Sequence, residues 1–560
     1  MHLRDSADEI VEVKTLEAFI FMTTVTLRFQ ARIKEEGCSK SAASVKLCQT
    51  YSGYSCNRKH NRAYMDYLNV NNGMRRLIYQ RQEEVAKKFS SSYPHLGMPD
   101  IPITLSLQQQ WSSHPKNQEE KLTRSTNLFP EDDVGIFKDN SLVDIQSLIE
   151  KEFKFPFLPA SDPLIESLAR HVSYLSLPHT TDSRMFYYFF HSRKSKDDPV
   201  VIWLTGGPGG NSAISIFNGN GPFRIEKDGS NNLYLKWNDY GWDMVSNIIY
   251  VDQPIGTGLS YTSNNNDIRH NQTSISNDLY DFLQEFFKLY PNFINNDFFI
   301  TGQSYAGHYA PALASRILEG NRQKERIHIN LKGFAVGNGL TDFKIQHPSI
   351  PDYAWSERII TLEQYNQIKQ LNPRCTGNDT ACLDAYTFCD SIYQQTLETG
   401  NFDSKDIRKT RGASSDYSTL TSFMNKQTVK DALGVSDREF VLLSMPVYTA
   451  LRGDWAKNLE VYIPTLLKDR IKVLIYAGDK DLIANRLGNF RWVLNMEWYD
   501  KQKFINSEVV TFKVEESNSG LMTRHEPLTF IKVYDSGHNV PWDQPKVALH
   551  MIKNWMQGDL

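Results

Sequence analysis

Short apolar runs alternate with amphipathic stretches over roughly the C-terminal two thirds of the chain. The runs are short, continuous and bounded by polar or glycine-rich sequence, which predicts buried strands at 200–204, 247–251, 297–301, 331–336, 472–476 and 529–534. Between two of them, apolar side chains recur at helical spacing and predict an amphipathic helix through Ile275, Leu279, Phe282, Leu283, Phe286 and Phe287. Buried strands alternating with such helices indicate an α/β fold, with a mostly parallel central sheet covered by helices on both faces.

The same pattern divides the chain. Residues 1–115 are mostly polar with little sustained periodicity, and we treat them as an N-terminal extension of unknown role. The α/β domain is expected to occupy 161–560. Within it, the polar region at about 342–428 interrupts the strand–helix rhythm and lacks clean strand patterns, which indicates an inserted cap.

Composition limits the function classes. With 560 residues, 40% hydrophobic and 23% charged, the chain is typical of a globular protein. The formal net charge is −3 and no basic tract is concentrated anywhere, so nucleic acid is not an expected partner. No apolar run approaches the length needed to cross a bilayer, so no membrane association is predicted.

Signals of secretion are weak. The apolar stretch at 18–27 is short, rich in threonine and preceded by acidic residues, which makes it a poor signal peptide. Asn271 and Asn378 each begin a glycosylation sequon, which matters only in a secreted chain. The six cysteines fall in two groups whose spacings fit no zinc-ligand pattern, and neither a metal nor a cofactor is implied.

Candidate chemistry begins at Ser304. The sequence Gly302-Gln303-Ser304-Tyr305-Ala306-Gly307 places G-x-S-x-G directly after a predicted strand, and a helix is expected to begin near Pro311. G-x-S-x-G alone is common by chance. In a strand–turn–helix setting it predicts a nucleophile elbow, which is typical of an α/β-hydrolase.

A serine nucleophile needs a base that is itself oriented by an acid. His538 follows the last predicted strand, and two acids, Asp479 and Asp481, follow the strand before it. Both strand ends lie where open α/β sheets keep their active sites. The order serine, acid, histidine is that of the α/β-hydrolases. Asp479 remains an alternative to Asp481 as the acid, or else a turn-forming residue.

Two backbone amides are expected to stabilise the oxyanion. One belongs to Tyr305, the residue after the nucleophile, and the other to Gly207 in the glycine-rich loop after the strand at 200–204. The alternatives for this loop are a purely structural turn or a phosphate-binding loop, and the latter would lack its lysine.

With these pieces placed, the chain resembles the serine carboxypeptidases, particularly the plant type III group. The motifs that carry the resemblance are WLTGGPG (203–209), NGPF (220–223), VDQP (251–254), GTG (256–258), GNGL (337–340), YAGDKD (476–481) and GHNVP (537–541). The resemblance selects Asp481 as the acid and marks 119–132, within a segment at 116–160, as propeptide-like. It implies peptide substrates with a free C-terminal carboxylate, acidic conditions, a vacuolar, lysosomal or secreted location, and a possible homodimer.

Two departures concern carboxylate recognition. The family carries a glutamate beside the nucleophile and a second one before its Asn-Gly-Pro segment, and this chain has Gln303 and Gly219 there. The two glutamates are understood to share a proton and bind the substrate carboxylate, as adjacent carboxyls can. We hypothesise that the losses are coupled, and that Gln303, Thr205 and Gly206 bind the carboxylate through neutral donors.

A second paired departure concerns a disulfide. The family cysteine after Gly-Pro-Gly is replaced at Gly210, and the cysteine expected to bridge to it is replaced near Leu443. Two rival functions stay open at this stage. One is acyl transfer, which some plant relatives perform with the same triad. The other is a non-catalytic role in binding or assembly.

Overall fold

The computed structural model describes residues 151–152, 170–371, 400–435 and 438–560. All of them belong to one unit, Gln118–Leu560. The features that lie outside the described residues are the extension 1–115, the propeptide-like 119–132, Asn378, Cys38, Cys48, Cys56, Cys375, Cys382 and Cys389.

The described strands fall into one large sheet and two small ones. They are β1 (Lys151–Glu152), β2 (Arg170–Ser176), β3 (Arg184–Phe190), β4 (Val200–Leu204), β5 (Phe223–Lys227), β6 (Leu233–Trp237), β7 (Asn247–Val251), β8 (Phe298–Gln303), β9 (Leu331–Gly337), β10 (Phe402–Asp403), β11 (Asp406–Thr410), β12 (Lys472–Gly478), β13 (Val509–Val514), β14 (Ser517–His525) and β15 (Leu528–Val533). The large sheet has the order β1-β2-β3-β7-β4-β8-β9-β12-β15-β14-β13. The six central strands, β7-β4-β8-β9-β12-β15 in sheet order, pair in parallel. The strands at both edges of the sheet pair antiparallel.

Helices lie between the strands along the chain and after the last strand. They are α1 (Ala213–Asn218), α2 (Gln272–Leu289), α3 (Ala306–Gln323), α4 (Phe343–Gln346), α5 (Ser349–Ser356), α6 (Leu362–Leu371), α7 (Ser418–Met424), α8 (Gln427–Leu433), α9 (Met445–Ala450), α10 (Ile463–Lys468), α11 (Arg486–Asn495), α12 (Lys501–Ile505), α13 (Val540–Asp543) and α14 (Pro545–Gln557). Among the helices described, none is long and apolar enough to cross a bilayer.

Two apolar layers enclose the sheet. In β4, Val200, Ile202 and Leu204 face one layer, whereas Val201 and Trp203 face the other. All five are buried. A strand covered on both faces needs apolar residues at every position, which explains the continuous run in the sequence. The predicted mostly parallel sheet with helices on both faces is confirmed.

One sequence prediction is wrong. Helix α3 begins at Ala306, and Pro311 lies inside it rather than at its start. Residues 306–315 are all buried, so packing outweighs the hydrogen bond that a proline inside a helix forgoes. The region 342–428, where no strand pattern was evident, contains the hairpin β10–β11. Only Asp406 of β11 is buried, so this strand lacks an apolar run.

Candidate active site

Ser304 follows β8 in a sharp turn and has a left-handed backbone, with φ of +64°. Non-glycine residues rarely adopt this conformation, which costs about 1–3 kcal/mol. Two hydrogen bonds hold the turn. The Ser304 amide donates to the Gly337 carbonyl at 3.0 Å, and the Leu340 amide donates to the Ser304 carbonyl at 2.9 Å. A serine held in this way presents its hydroxyl above the ends of the parallel strands.

The glycines of the motif allow this close approach. A Cβ added to Gly302 would lie 2.5 Å from the Ala306 Cβ and 2.6 Å from the Leu204 carbonyl oxygen. A Cβ added to Gly307 would collide with the Leu340 carbonyl. The motif spacing therefore reflects backbone packing around the turn, not a chance occurrence.

His538 and Asp481 meet because β12 and β15 pair in parallel and their following loops are adjacent. The His538 Nδ1 atom lies 2.6 Å from the Asp481 Oδ2 atom. Asp481 is fully buried and His538 is 7% exposed. With Nδ1 bonded to the carboxylate, Nε2 is the ring nitrogen that remains to exchange a proton.

Asn338 is a site residue that sequence reasoning missed. Its side-chain Nδ2 donates to Asp481 Oδ2 at 2.8 Å, and the Ile483 amide donates to Asp481 Oδ1 at 3.1 Å. The side chain of Asn338 is held in turn, because the Gly478 amide donates to its Oδ1 at 3.1 Å. A signal was available, since Asn338 directly follows β9 at the carboxyl edge of the sheet.

Asp479, the alternative acid, does not contact His538. Its Oδ1 accepts the Ser536 amide at 3.4 Å, and its Oδ2 lies 3.3 Å from the Lys480 ammonium. Asp479 therefore ties the two loops together, while Asp481 is the carboxylate that meets the imidazole.

The glycine-rich loop packs directly against the nucleophile turn. A Cβ added to Gly206 would lie 2.6 Å from the Gln303 carbonyl oxygen, 2.7 Å from the Tyr305 amide nitrogen and 2.8 Å from the Ser304 Cβ. The next residue, Gly207, has φ of +130°, which favours glycine. The structure therefore packs Gly206, the residue before Gly207, against the turn that carries Ser304 and Tyr305.

This packing makes a testable prediction. Gly206→Ala is expected to displace the loop and lower kcat by about 10²- to 10³-fold, the effect of losing one oxyanion donor. The measurement is steady-state kinetics on a blocked dipeptide. Gly229→Ala is the matched control, because a Cβ there meets nothing within 4 Å. Near wild-type kcat in Gly206→Ala would contradict the packing described.

Tyr305 is also fixed through its side chain. Its hydroxyl donates to Asp454 Oδ2 at 2.9 Å, and Gln272 Nε2 donates to the same oxygen at 2.5 Å. The Tyr305 ring stacks on His308 with centroids 4.5 Å apart. Burial, and then the charge of Asp454, hold the pKa of the Tyr305 hydroxyl well above its usual value, so the hydroxyl remains a donor. These contacts fix the residue whose amide is predicted to stabilise the oxyanion.

The loop is tethered where the family disulfide is missing. Gly210 and Leu443 form an antiparallel bridge. Next to it, the Asn211 amide donates to the Leu442 carbonyl and the Ser444 amide donates to the Gly209 carbonyl, both at 2.9 Å. Losing a disulfide typically costs about 2–5 kcal/mol in small secreted domains. Backbone hydrogen bonds connect the two segments here.

Two of the residues predicted to bind a carboxylate, Gly206 and Gln303, pack against each other at the nucleophile turn. Gln303 is half-buried and precedes Ser304. The Thr205 hydroxyl is 3.0 Å from the Ser215 hydroxyl. A Cβ added to Gly219 would lie 2.8 Å from the Ser215 carbonyl oxygen, so a glutamate does not fit there without a backbone shift. Among the residues described, no cluster of histidine, cysteine and acidic side chains is arranged to hold a metal ion.

Comparison with known proteins gives a clear relationship. A family model described as serine carboxypeptidase matches residues 162–558. The chain belongs to the serine carboxypeptidase family. It is 47% identical to serine carboxypeptidase-like 48 of Arabidopsis thaliana over 80% of this chain and 91% of that protein. It is 48% identical to serine carboxypeptidase 3 of Oryza sativa subsp. japonica over 80% of this chain and 90% of that protein.

The fold comparison agrees with this membership. Kex1Δp, a prohormone-processing carboxypeptidase from Saccharomyces cerevisiae, superposes with a TM-score of 0.65 at 24% identity. The superposition covers 73% of this chain and 95% of Kex1Δp. The α/β-hydrolase fold predicted from the sequence is thereby confirmed, and the family supports a hydrolase. Acyl transfer is not favoured over this activity.

Proposed function

We propose that this serine carboxypeptidase releases C-terminal residues from peptides through an acyl-enzyme formed on Ser304. The observation that carries the proposal is the 2.6 Å contact between His538 Nδ1 and Asp481 Oδ2, in a chain whose Ser304 is held in a left-handed turn at the end of β8. This arrangement supports a nucleophile, a base and an acid that act as one unit.

In the proposed mechanism, His538 Nε2 takes the Ser304 hydroxyl proton as the oxygen attacks the scissile carbonyl. The amides of Gly207 and Tyr305 then donate to the oxyanion. The Tyr305 amide also lies at the N-terminus of α3, whose dipole favours negative charge. His538 next gives its proton to the leaving amine, and water releases the acyl group by the same steps in reverse. Asp481 stabilises the imidazolium throughout.

Recognition of the C-terminal carboxylate is proposed to use Gln303, Thr205 and Gly206. Gln303 supports this role because its amide is a donor at every pH and adjoins the nucleophile. The packing at Gly219 leaves no space for the second family glutamate. A single glutamate at position 303 would therefore lack the partner that keeps one carboxyl protonated. Carboxylate binding is then expected to depend little on acidity.

Gln303→Glu tests this account. A glutamate carboxyl ordinarily titrates at about pH 4.3. Below that pH it would donate a hydrogen bond to the substrate carboxylate, and above it the two negative charges would repel each other. The KM for a free-acid peptide is expected to rise about tenfold or more between pH 4 and pH 7, which moves the activity optimum toward acid.

Two controls accompany this measurement. A peptide with a C-terminal amide carries no charge to repel, so its KM should change little in Gln303→Glu. Gln303→Met removes the amide at every pH and should weaken free-acid binding without moving the optimum. An unchanged pH profile in Gln303→Glu would contradict the proposed role of Gln303.

We also propose a location in the secretory pathway, vacuolar or extracellular, with peptides as substrates. The plant carboxypeptidase relatives support this location. Asn271 is an exposed residue at the N-terminus of α2, and its side-chain oxygen accepts the Ser274 amide at 2.9 Å. That bond leaves the Asn271 amide nitrogen as the proposed glycan attachment point.

Labelling with an organophosphonate tests the nucleophile directly. The full chain is expected to lose activity with one equivalent of probe bound, and peptide mass mapping should place the adduct on Ser304. The same preparation should release the C-terminal amino acid from a blocked dipeptide. Failure of Ser304 to react would favour a non-catalytic role. Labelling without peptide cleavage, but with turnover of a glucose ester, would favour acyl transfer.

A further inference from the structure

The hairpin β10–β11 forms backbone hydrogen bonds to both loops that carry Asp481 and His538. We propose that this hairpin is a positioning element that fixes the two loops relative to each other, with Arg408 as its main anchoring side chain. The inference rests on the proposed function, since the relative position of the loops matters only if Asp481 and His538 act together.

On one side, the hairpin is bonded to the loop of the acid. The Leu482 amide, next to Asp481, donates to the Ser404 carbonyl at 3.1 Å. The Ile407 amide donates to the Lys480 carbonyl at 3.0 Å on the other flank of Asp481. The acid is therefore bracketed by backbone hydrogen bonds to the hairpin.

On the other side, the hairpin is bonded to the loop of the base. The His538 amide donates to the Lys405 carbonyl at 2.7 Å. The neighbouring Gly537 packs so closely that an added Cβ would collide with the same carbonyl. One short turn thus contacts the residues adjoining Asp481 and the backbone of His538 itself.

Arg408 connects the hairpin to the loop before His538. Its guanidinium donates to the Asp535 carbonyl at 2.8 Å, and two further hydrogen bonds, at 2.8 Å and 2.7 Å, orient it on Asp406 of the same strand. Asp406 is 1% exposed. Although burial opposes it, hydrogen bonding from Arg408 holds the pKa of Asp406 below its usual value, so the carboxylate stays charged. Removing Arg408 breaks this bidentate pair and leaves Lys409, 3.2 Å away, as the ion-pair partner of the buried Asp406 carboxylate.

A second ion pair reinforces the anchor. Lys409 lies 3.0 Å from Asp543 Oδ1, and the Gly537 amide donates to Asp543 Oδ2 at 2.8 Å. Lys409 also lies 3.2 Å from Asp406 Oδ2. The hairpin and the loop before His538 are therefore joined by charged side chains as well as by backbone bonds.

The test compares variants of the full-length protein. In Arg408→Met, kcat for a blocked dipeptide should fall about 10- to 100-fold, as expected when catalytic groups are misplaced by about 1 Å. KM should stay within about threefold, because ground-state binding is not affected. The rate of Ser304 inactivation by an organophosphonate should fall in proportion to kcat. Arg408→Lys, which keeps a cation beside Asp406, should recover part of the activity.

The matched control is Arg269→Met. Arg269 makes an equally bidentate pair with Asp278, at 2.7 Å and 2.9 Å, beside α2. This control should keep kcat. Gly537→Ala provides a second probe, because it pushes the hairpin away while Arg408 is retained, and it should lower kcat without raising KM. Thermal unfolding shows which variants are folded under assay conditions.

Each outcome decides the matter. Selective loss of kcat in folded Arg408→Met and Gly537→Ala supports the positioning role. Wild-type kcat in both variants, equal losses in Arg408→Met and Arg269→Met, or a change confined to KM would overturn it. If the wild-type protein neither cleaves peptides nor reacts with the probe, the proposed function fails first. An active wild type with insensitive variants overturns the hairpin inference alone.

Discussion

Ser304→Ala is expected to lower kcat/KM for peptide hydrolysis by about 10⁵- to 10⁶-fold, with KM nearly unchanged. The left-handed turn is set by backbone hydrogen bonds to Gly337 and Leu340, which alanine also permits. The variant should therefore fold and bind substrate while lacking the oxygen that attacks. Amino-acid release measured at high enzyme concentration determines the residual rate.

Ser212→Ala is not a suitable control for this change, because Ser212 binds the buried Asp252 through both its amide and its hydroxyl. Ser263→Ala is better matched, since Ser263 is exposed and its amide keeps the bond to Asp182 at 3.0 Å. It should keep full activity. Substantial peptide cleavage by Ser304→Ala would mean that another group performs the attack.

Asp481→Asn is expected to lower kcat by about 10⁴-fold. Asp481 Oδ2 accepts hydrogen bonds from both His538 and Asn338, and Oδ1 accepts the Ile483 amide. An asparagine side chain has one oxygen and one NH₂ group, and both Asp481 oxygens accept hydrogen bonds. In either orientation the NH₂ group would therefore face another donor. When the NH₂ group faces His538, the imidazole places its proton on Nε2 and can no longer accept the proton of Ser304. Steady-state kinetics at pH 7 provides the measurement.

Asp479→Asn is the control for this prediction. Asp479 contacts Lys480 and the Ser536 amide but not His538, so its loss should change kcat only a few-fold, as for most interactions outside the reacting groups. If Asp479→Asn were the more damaging change, the assignment of the acid would have to be reversed.

The parallel core of the fold could be predicted from the sequence. Strands β4 and β7 match their predicted bounds because both faces of each are covered, which requires continuous apolar sequence. Edge strands carry a weaker signal. Only two of the six residues of β13 are buried, and their pattern resembles that of a surface loop. Strand β3 was missed although Met185–Phe190 is continuously buried, so there the signal was present.

The proposed triad could be derived from the sequence because its members follow strand ends in a recognisable order. Asn338 and Arg408 could not be assigned roles in the same way. Asn338 acts through Asp481, which lies far along the chain and meets it only through the pairing of β9 with β12. The role of Arg408 depends on the contact of a polar hairpin with two loops. No periodic pattern in the sequence predicts that contact. The sequence places Asn338 at the correct sheet edge, but its partner, like the role of Arg408, follows from tertiary proximity.

Exopeptidase activity can be measured as the cleavage of a blocked dipeptide and of its C-terminal amide by the purified chain across pH 4 to 8. We predict faster release from the free acid than from the amide over this range, with both activities lost in Ser304→Ala. That result would show that a neutral carboxylate site beside an intact triad supports exopeptidase activity. Equal or amide-favouring cleavage, or no turnover of either substrate, would contradict the account.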